Sequence, residues 1–266
     1  MPVKQLESMT QQCSPESVYV LGVRVDRLSQ KQALDRIEQI ITRRRAGGNV
    51  VPCQQVVTLN TEFVMAAPRN LAFRTAINEA ALVLPDGIGV VWATHYLGQS
   101  VPERVTGTDT LVALAKRCAA AGYRIYLLGA APGVAGVAGS YLREVAPGLE
   151  ISGTYAGSPA PGEEDTIIDR IKTARADVLC VAYGAPAQDL WIRRNLSRLP
   201  AAVAIGVGGA YDFLSGRQRR APRIMQRTGL EWLYRLCRQP WRWRRMTAIP
   251  QFIVRMGLRG RKQNHV

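Results

Sequence analysis

Leu84-Pro85-Asp86-Gly87-Ile88-Gly89-Val90-Val91-Trp92 joins two apolar runs of different kind. Ala80-Ala81-Leu82-Val83, just ahead of it, is short and reads as a buried strand. Ile88 to Leu97, at its end, reads as a helix. Asp86 therefore falls at the carboxyl end of a strand, with Gly87 supplying the tight turn. In open α/β sheets ligands bind at that edge. A carboxylate presented there either accepts a proton from an incoming hydroxyl or caps the following helix. The stretch alone does not choose between them.

Similar units lie on both sides. Upstream, Val18 to Val25 alternates and reads as a strand or hairpin arm, and Ser29 precedes a helix from Lys31 to Arg44. Gln55 to Leu59 is a strand, Thr61 is placed to cap a short helix, and Pro68 opens another that runs to about Asn78. Downstream, Thr108 is placed to cap an alanine-rich helix ending at Gly122. Strands follow at Arg124–Leu128, Leu149–Tyr155, Asp177–Ala182 and Ala201–Val207, with helices between them. This alternation predicts an α/β fold, a mostly parallel Rossmann-like sheet with helices on both faces. The expected organisation is a flexible tail over residues 1–17, a catalytic domain over 18–216 and a basic helical appendage over 217–266.

The chain has 266 residues, enough for one large α/β domain with an appendage. No apolar run approaches the ~20 residues of a membrane-spanning helix. The polar start, Met1 to Ser17, lacks a signal-peptide core, so a cytosolic location is expected. Five scattered cysteines form no CxxC pair, which argues against a disulfide framework or zinc site. Cys118 and Cys180 sit in apolar contexts and read as core thiols.

Four strand ends carry polar residues or glycines: Thr58/Asn60, Asp86, Gly184 to Gln188, and Gly206 to Asp212. In a parallel sheet all four open on one crevice. Individually each has a plain structural reading. Asn60 suits an Asx turn, Gln188 a solvent-facing first turn, and Gly208-Gly209 a simple turn. Paired glycines also let backbone N–H groups reach a phosphate. Arg104, before a helix, suits a phosphate or a surface pair with Glu103 or Asp109. Gly129-x-x-x-Gly133-x-x-Gly136 departs from the dinucleotide spacing and includes Pro132, so no nicotinamide cofactor is read from it. With only His95 and His265, no histidine triad is expected, and no metal motif is present. Asp86 becomes the leading general-base candidate.

In this order, Thr58-Leu59-Asn60, Leu84-Pro85-Asp86-Gly87, Arg104-Val105-Thr106-Gly107-Thr108-Asp109, Gly184-Ala185-Pro186-Ala187-Gln188-Asp189 and Gly206-Val207-Gly208-Gly209-Ala210-Tyr211-Asp212 resemble the WecG/TagA/CpsF glycosyltransferases. The likeness runs from about Val18 to Arg245. It takes in Arg220-Ala221-Pro222-Arg223 and Gly229-Leu230-Glu231-Trp232-Leu233-Tyr234-Arg235. Asp189 stands where many members carry Glu. The resemblance implies an inverting, metal-independent enzyme without a cofactor. It would move a sugar from a UDP-sugar to an undecaprenyl-diphosphate-linked saccharide on the cytoplasmic face of the membrane. It makes Asp86 the base and Thr58 and Asn60 neighbours of the reacting sugar. Arg104 and Gln188 become donor or acceptor contacts, and Asp212 a uridine contact, with Gly208, Gly209 and Tyr211 beside it. UDP-glucose, UDP-N-acetylmannosamine and its uronic acid are the donors this family suggests, and self-association off the membrane is implied.

The charge is concentrated at the end. Residues 217–266 hold 14 Lys/Arg against one acid, Glu231, and so carry +13 of the net +15. Trp232, Trp241 and Trp243 interleave with arginines, which suits an anionic membrane surface. Helical stretches are expected from about Arg223 to Gln239 and from Trp241 onward, separated at Pro240. The rival is a non-enzymatic basic module binding nucleic acid or membrane; no RNA-binding motif accompanies the segment, so nucleic acid is not expected as a partner. In the resembling family the appendage places arginines over the active site, which makes Arg235, Arg242 and Arg245 substrate contacts.

Overall fold

The computed structural model describes residues 16–47, 51–228, 230–238, 243 and 247–259. The chain opens with a hairpin of β1 (Ser17–Val20) and β2 (Val23–Asp26), with Val18 opposite Val25 and Val20 opposite Val23. Leu21 and Gly22 both take positive φ, the mirror-image turn whose twist matches the flanking strands. Helix α1 (Gln30–Gly47) leads to β3 (Gln54–Leu59), α2 (Thr61–Ala66), α3 (Leu71–Asn78), β4 (Leu82–Pro85) and α4 (Ile88–Tyr96). Then come α5 (Gly107–Ala121), β5 (Arg124–Gly129), α6 (Val134–Val145), β6 (Glu150–Tyr155), α7 (Glu164–Thr173), β7 (Val178–Ala182), α8 (Ala187–Asn195), β8 (Val203–Gly206) and α9 (Ala210–Leu214). The described part of the appendage supplies α10 (Arg223–Arg227), α11 (Glu231–Arg238) and α12 (Ala248–Arg259).

Six strands form one parallel sheet in the order β4-β3-β8-β7-β5-β6. The central strands are apolar throughout because both faces are covered. Alternate side chains serve opposite layers. Leu82, Leu84, Val178 and Cys180 join α1, α5 and α6 on one face. On the other, Val57, Leu59 and Val83 pack with α2 to α4 and the hairpin, while Leu179 and Val181 pack with α7 and α8. Cys118 and Cys180 are core thiols, as their contexts predicted. The hairpin is tied to the sheet through buried Asp26, which accepts from Ser17 Oγ and from the Val83 N–H, each at 2.8 Å.

Three expectations about helix starts are corrected. Asn60, not Thr61, caps α2, because its Oδ1 accepts from the Glu62 and Phe63 N–H groups at 2.9 and 3.2 Å. Thr106, not Thr108, caps α5: its hydroxyl oxygen accepts from the Asp109 N–H at 3.1 Å and its hydroxyl donates to Asp109 Oδ2 at 2.6 Å. This is the reciprocal pair that a T-x-x-D spacing permits. Pro68 lies in a single 3-10 turn, and Asn70 starts the true helix by accepting from the Phe73 N–H.

Candidate active site

The carboxyl ends of β4, β3, β8 and β7 open on a crevice of about 460 Å³. These strands are contiguous in the sheet, so Asp86, Thr58 with Asn60, Val207 to Gly209, and Ala182 to Gln188 meet there. Asp86 follows β4 directly, and its N–H donates to Leu59 O at 2.8 Å. The cap position of α4 is Gly87, not Asp86. A Cβ on Gly87 would lie 3.1 Å from Asn60 Cα and Cβ, so the close approach of the two strand ends favours glycine. Asn60 lines the crevice while giving its side-chain carbonyl oxygen to the α2 cap. Thr58 is 5% exposed and donates to Gly206 O at 2.9 Å. Its hydroxyl proton is thus committed to the backbone, and its oxygen is left as an acceptor.

Gln188 is buried rather than solvent-facing. Its Oε1 accepts from the Gly208 N–H at 3.0 Å, and a Cβ on Gly206 would come within 2.5 Å of its Nε2 and 2.9 Å of Asp189 Oδ1. Gly206 thus leaves room for the pair of side chains that shapes the next loop. Gly208 takes φ +52°, a left-handed turn that glycine adopts without strain. Its N–H is committed to Gln188, so of the two glycines only Gly209 keeps the expected freedom to offer its N–H to a phosphate. Asp212 faces the crevice over Gly209. Tyr211 does not line it: one helical step turns it into the core, where it is fully buried and donates to Cys180 O at 2.7 Å.

Two arginines border the crevice. Arg104 Nη1 lies 3.6 Å from Glu231 of α11. Arg220 holds Asp109 in a fork, Nη1 to Oδ1 at 2.6 Å and Nη2 to Oδ2 at 3.2 Å. Burial pushes the Asp109 carboxyl up, but the Arg220 guanidinium and the Thr106 hydroxyl outweigh it and hold it below the usual carboxylate range. Of the appendage, Arg220, Glu231, Trp232 and Ile249 reach the crevice. Arg242 and Arg245 lie outside the described residues, as does the side chain of Arg235. Sequence reasoning placed neither Arg220 nor Glu231 in the crevice and gave Trp232 to the membrane surface, although all three fall in segments that carry the family resemblance.

Among the described residues, no three His, Cys, Asp or Glu side chains gather in a way that could hold a metal ion. None of their helices is long and apolar enough to cross a membrane.

The profile described as the glycosyl transferase WecG/TagA/CpsF family matches residues 18–265. The N-acetylglucosaminyldiphosphoundecaprenol N-acetyl-beta-D-mannosaminyltransferase of Bacillus spizizenii is 35% identical over 199 residues, 75% of this chain and 77% of the relative. The protein of the same name from Staphylococcus aureus strain MW2 is 29% identical over 245 residues, 92% of this chain and 94% of the relative.

Proposed function

Since the chain belongs to the WecG/TagA/CpsF family and is a glycosyltransferase, we propose that it moves a sugar from a UDP-sugar to a saccharide on undecaprenyl diphosphate, with inversion and without a metal. The two relatives make N-acetylmannosamine the first donor to test, with glucose, suited to an exopolysaccharide, the second. That both are named transferases counts against a non-enzymatic basic module.

The observation that carries the proposal is the placement of the Asp86 carboxylate in one crevice with Arg104 and Arg220. The acceptor hydroxyl gives its proton to Asp86 as its oxygen bonds to the anomeric carbon. The bond from that carbon to the diphosphate oxygen breaks, and UDP leaves with the electron pair. Arginine supplies charge to the departing diphosphate, the work a divalent cation does elsewhere. Asn60 and Thr58 meet the transferred sugar, and Asp212 with Gly209 meets the uridine. Residues 217–266 hold the enzyme against the anionic inner face of the cell membrane.

The test is turnover of a GlcNAc-diphosphate lipid with each UDP-sugar, in EDTA and in magnesium. Asp86→Asn is expected to lower kcat by about 10²- to 10⁴-fold, the usual contribution of a general base, with UDP binding retained. An unchanged kcat, or activity that needs magnesium, would overturn the respective part.

A further inference from the structure

Helix α4 begins at the crevice, where Ile88 and Gly89 line it, and runs away from it. Its inward side is ordinary core: Val90, Ala93, Thr94 and Leu97 are buried. Its outward side is not ordinary surface. Ile88, Trp92 and Tyr96, four residues apart, are 39, 43 and 41% exposed. That spacing aligns them on one strip about 12 Å long. The two rings stack, with centroids 5.4 Å apart and planes at 20°, so the strip is ordered as well as apolar. The helix contains no acidic residue. Ile88, at the near end, itself lines the crevice. On the flank of α4, a Cβ on Gly89 would lie 3.8 Å from the Phe252 ring of α12.

We infer that the strip Ile88–Trp92–Tyr96 is the track on which the first isoprene units of the polyprenyl acceptor lie as the lipid leaves the crevice. The inference rests on the acceptor proposed above. Continuity selects this occupant. A molecule whose head reacts at Asp86 and whose tail is apolar must exit across an apolar part of the rim, and the strip starts two residues from the base. Its size argues the same way. Three side chains fall far short of the ~800 Å² per partner of a stable protein interface, but suit a single hydrocarbon chain. A chain lying there covers ring faces that water now wets, which is favourable in proportion to the apolar area removed.

The test compares two acceptors with the same GlcNAc-diphosphate head on the full chain, one with a long prenyl tail and one with a short, water-soluble alkyl group. The variant is Trp92→Gln/Tyr96→Gln, which removes both stacked rings of the strip. It is expected to raise KM for the long-tailed acceptor about tenfold or more, the loss for one displaced apolar side chain. KM for the soluble acceptor, the UDP-induced rise in Tm and binding to vesicles lacking acceptor should stay at wild-type values. Equal effects on both acceptors would mean that the rings stack on the saccharide, and would overturn the inference. So would no effect on either, loss of vesicle binding, or a wild-type dimer that the variant dissolves with KM unchanged. If wild type turns over neither acceptor with any donor, it is the proposed acceptor that fails, whereas activity on both with an insensitive variant sinks the track alone.

Discussion

Beneath the crevice, burial pushes the Asp189 carboxyl up from 3.8 to about 7, and the Gln188 amide beside it draws it only part of the way back. The side chain is fully buried, and neither oxygen has a well-aligned donor among the described residues. It shares with Gln188 the space next to Gly206, and Gln188 in turn holds Gly208. The folded protein therefore binds a proton at Asp189 that the unfolded chain has released. Stability from this group is complete below about pH 4, declines as pH rises towards 7, and stays low above it. At ~1.4 kcal/mol per unit, the decline is of the order of a few kcal/mol. Asp189→Asn keeps the shape of the protonated acid and cannot ionise. Its thermal unfolding midpoint should fall less than that of wild type between pH 5 and 8, the two differing most at pH 8. Parallel profiles would show that Asp189 is already ionised in the native protein.

Elements deliver what single residues cannot. Helix α11 brings Glu231, the sole acid among residues 217–266, to Arg104 at 3.6 Å. A carboxylate and a diphosphate compete for the same guanidinium. The pair is partly exposed, so its worth is at most about 1 kcal/mol, roughly fivefold in binding. Glu231→Gln should tighten UDP binding by up to about that factor in isothermal titration. Weaker binding would mean that Glu231 orients Arg104 for the ligand instead of occupying it. At this scale the limits of sequence reading are visible. The strands were legible because burial on both faces leaves unbroken apolar runs such as Val178–Ala182. Asp86, Asn60, Thr58, Gln188 and Asp212 were legible as a set because parallel strands end on one edge. Helix starts were not, where two capping residues stand close together, as at Asn60/Thr61 and Thr106/Thr108. The geometry of a single turn decides between them. Tyr211 was misplaced for a related reason: which face of a short helix turns inward is set by packing from the strand beneath it. Glu231 was obscured by the surrounding arginines, since only the fold shows which charge reaches the crevice.

At the scale of the molecule, the appendage is a wall of the crevice and, in the function proposed, the membrane attachment, and the two roles separate in one truncation. Helix α12 buries Phe252 and Met256 in the cluster that holds the hairpin and α2. At ~1.5–3 kcal/mol for each large side chain buried, their loss costs roughly 3–6 kcal/mol, an upper figure because unfolded chains already bury some surface. The same helix exposes Ile253, Val254 and Leu258, an apolar outer face within a segment of charge +13. Removing residues 217–266 therefore takes away Arg220, Trp232 and Ile249 from the crevice, uncovers part of the core and leaves a body of net charge +2. All six strands and nearly all of the layers come from residues before 217, so the truncated chain should keep most of its far-ultraviolet circular dichroism while its Tm falls by several degrees. UDP binding should weaken because Arg220 is lost. Sedimentation with vesicles rich in phosphatidylglycerol should drop to the level seen with neutral vesicles, and the full chain should come off the same vesicles as salt is raised, since at ~1 kcal/mol per basic residue near the surface the attraction is screened within a Debye length. Undiminished vesicle binding by the truncated chain would move the membrane contact to the catalytic body, where the α4 strip would be the surface to test next.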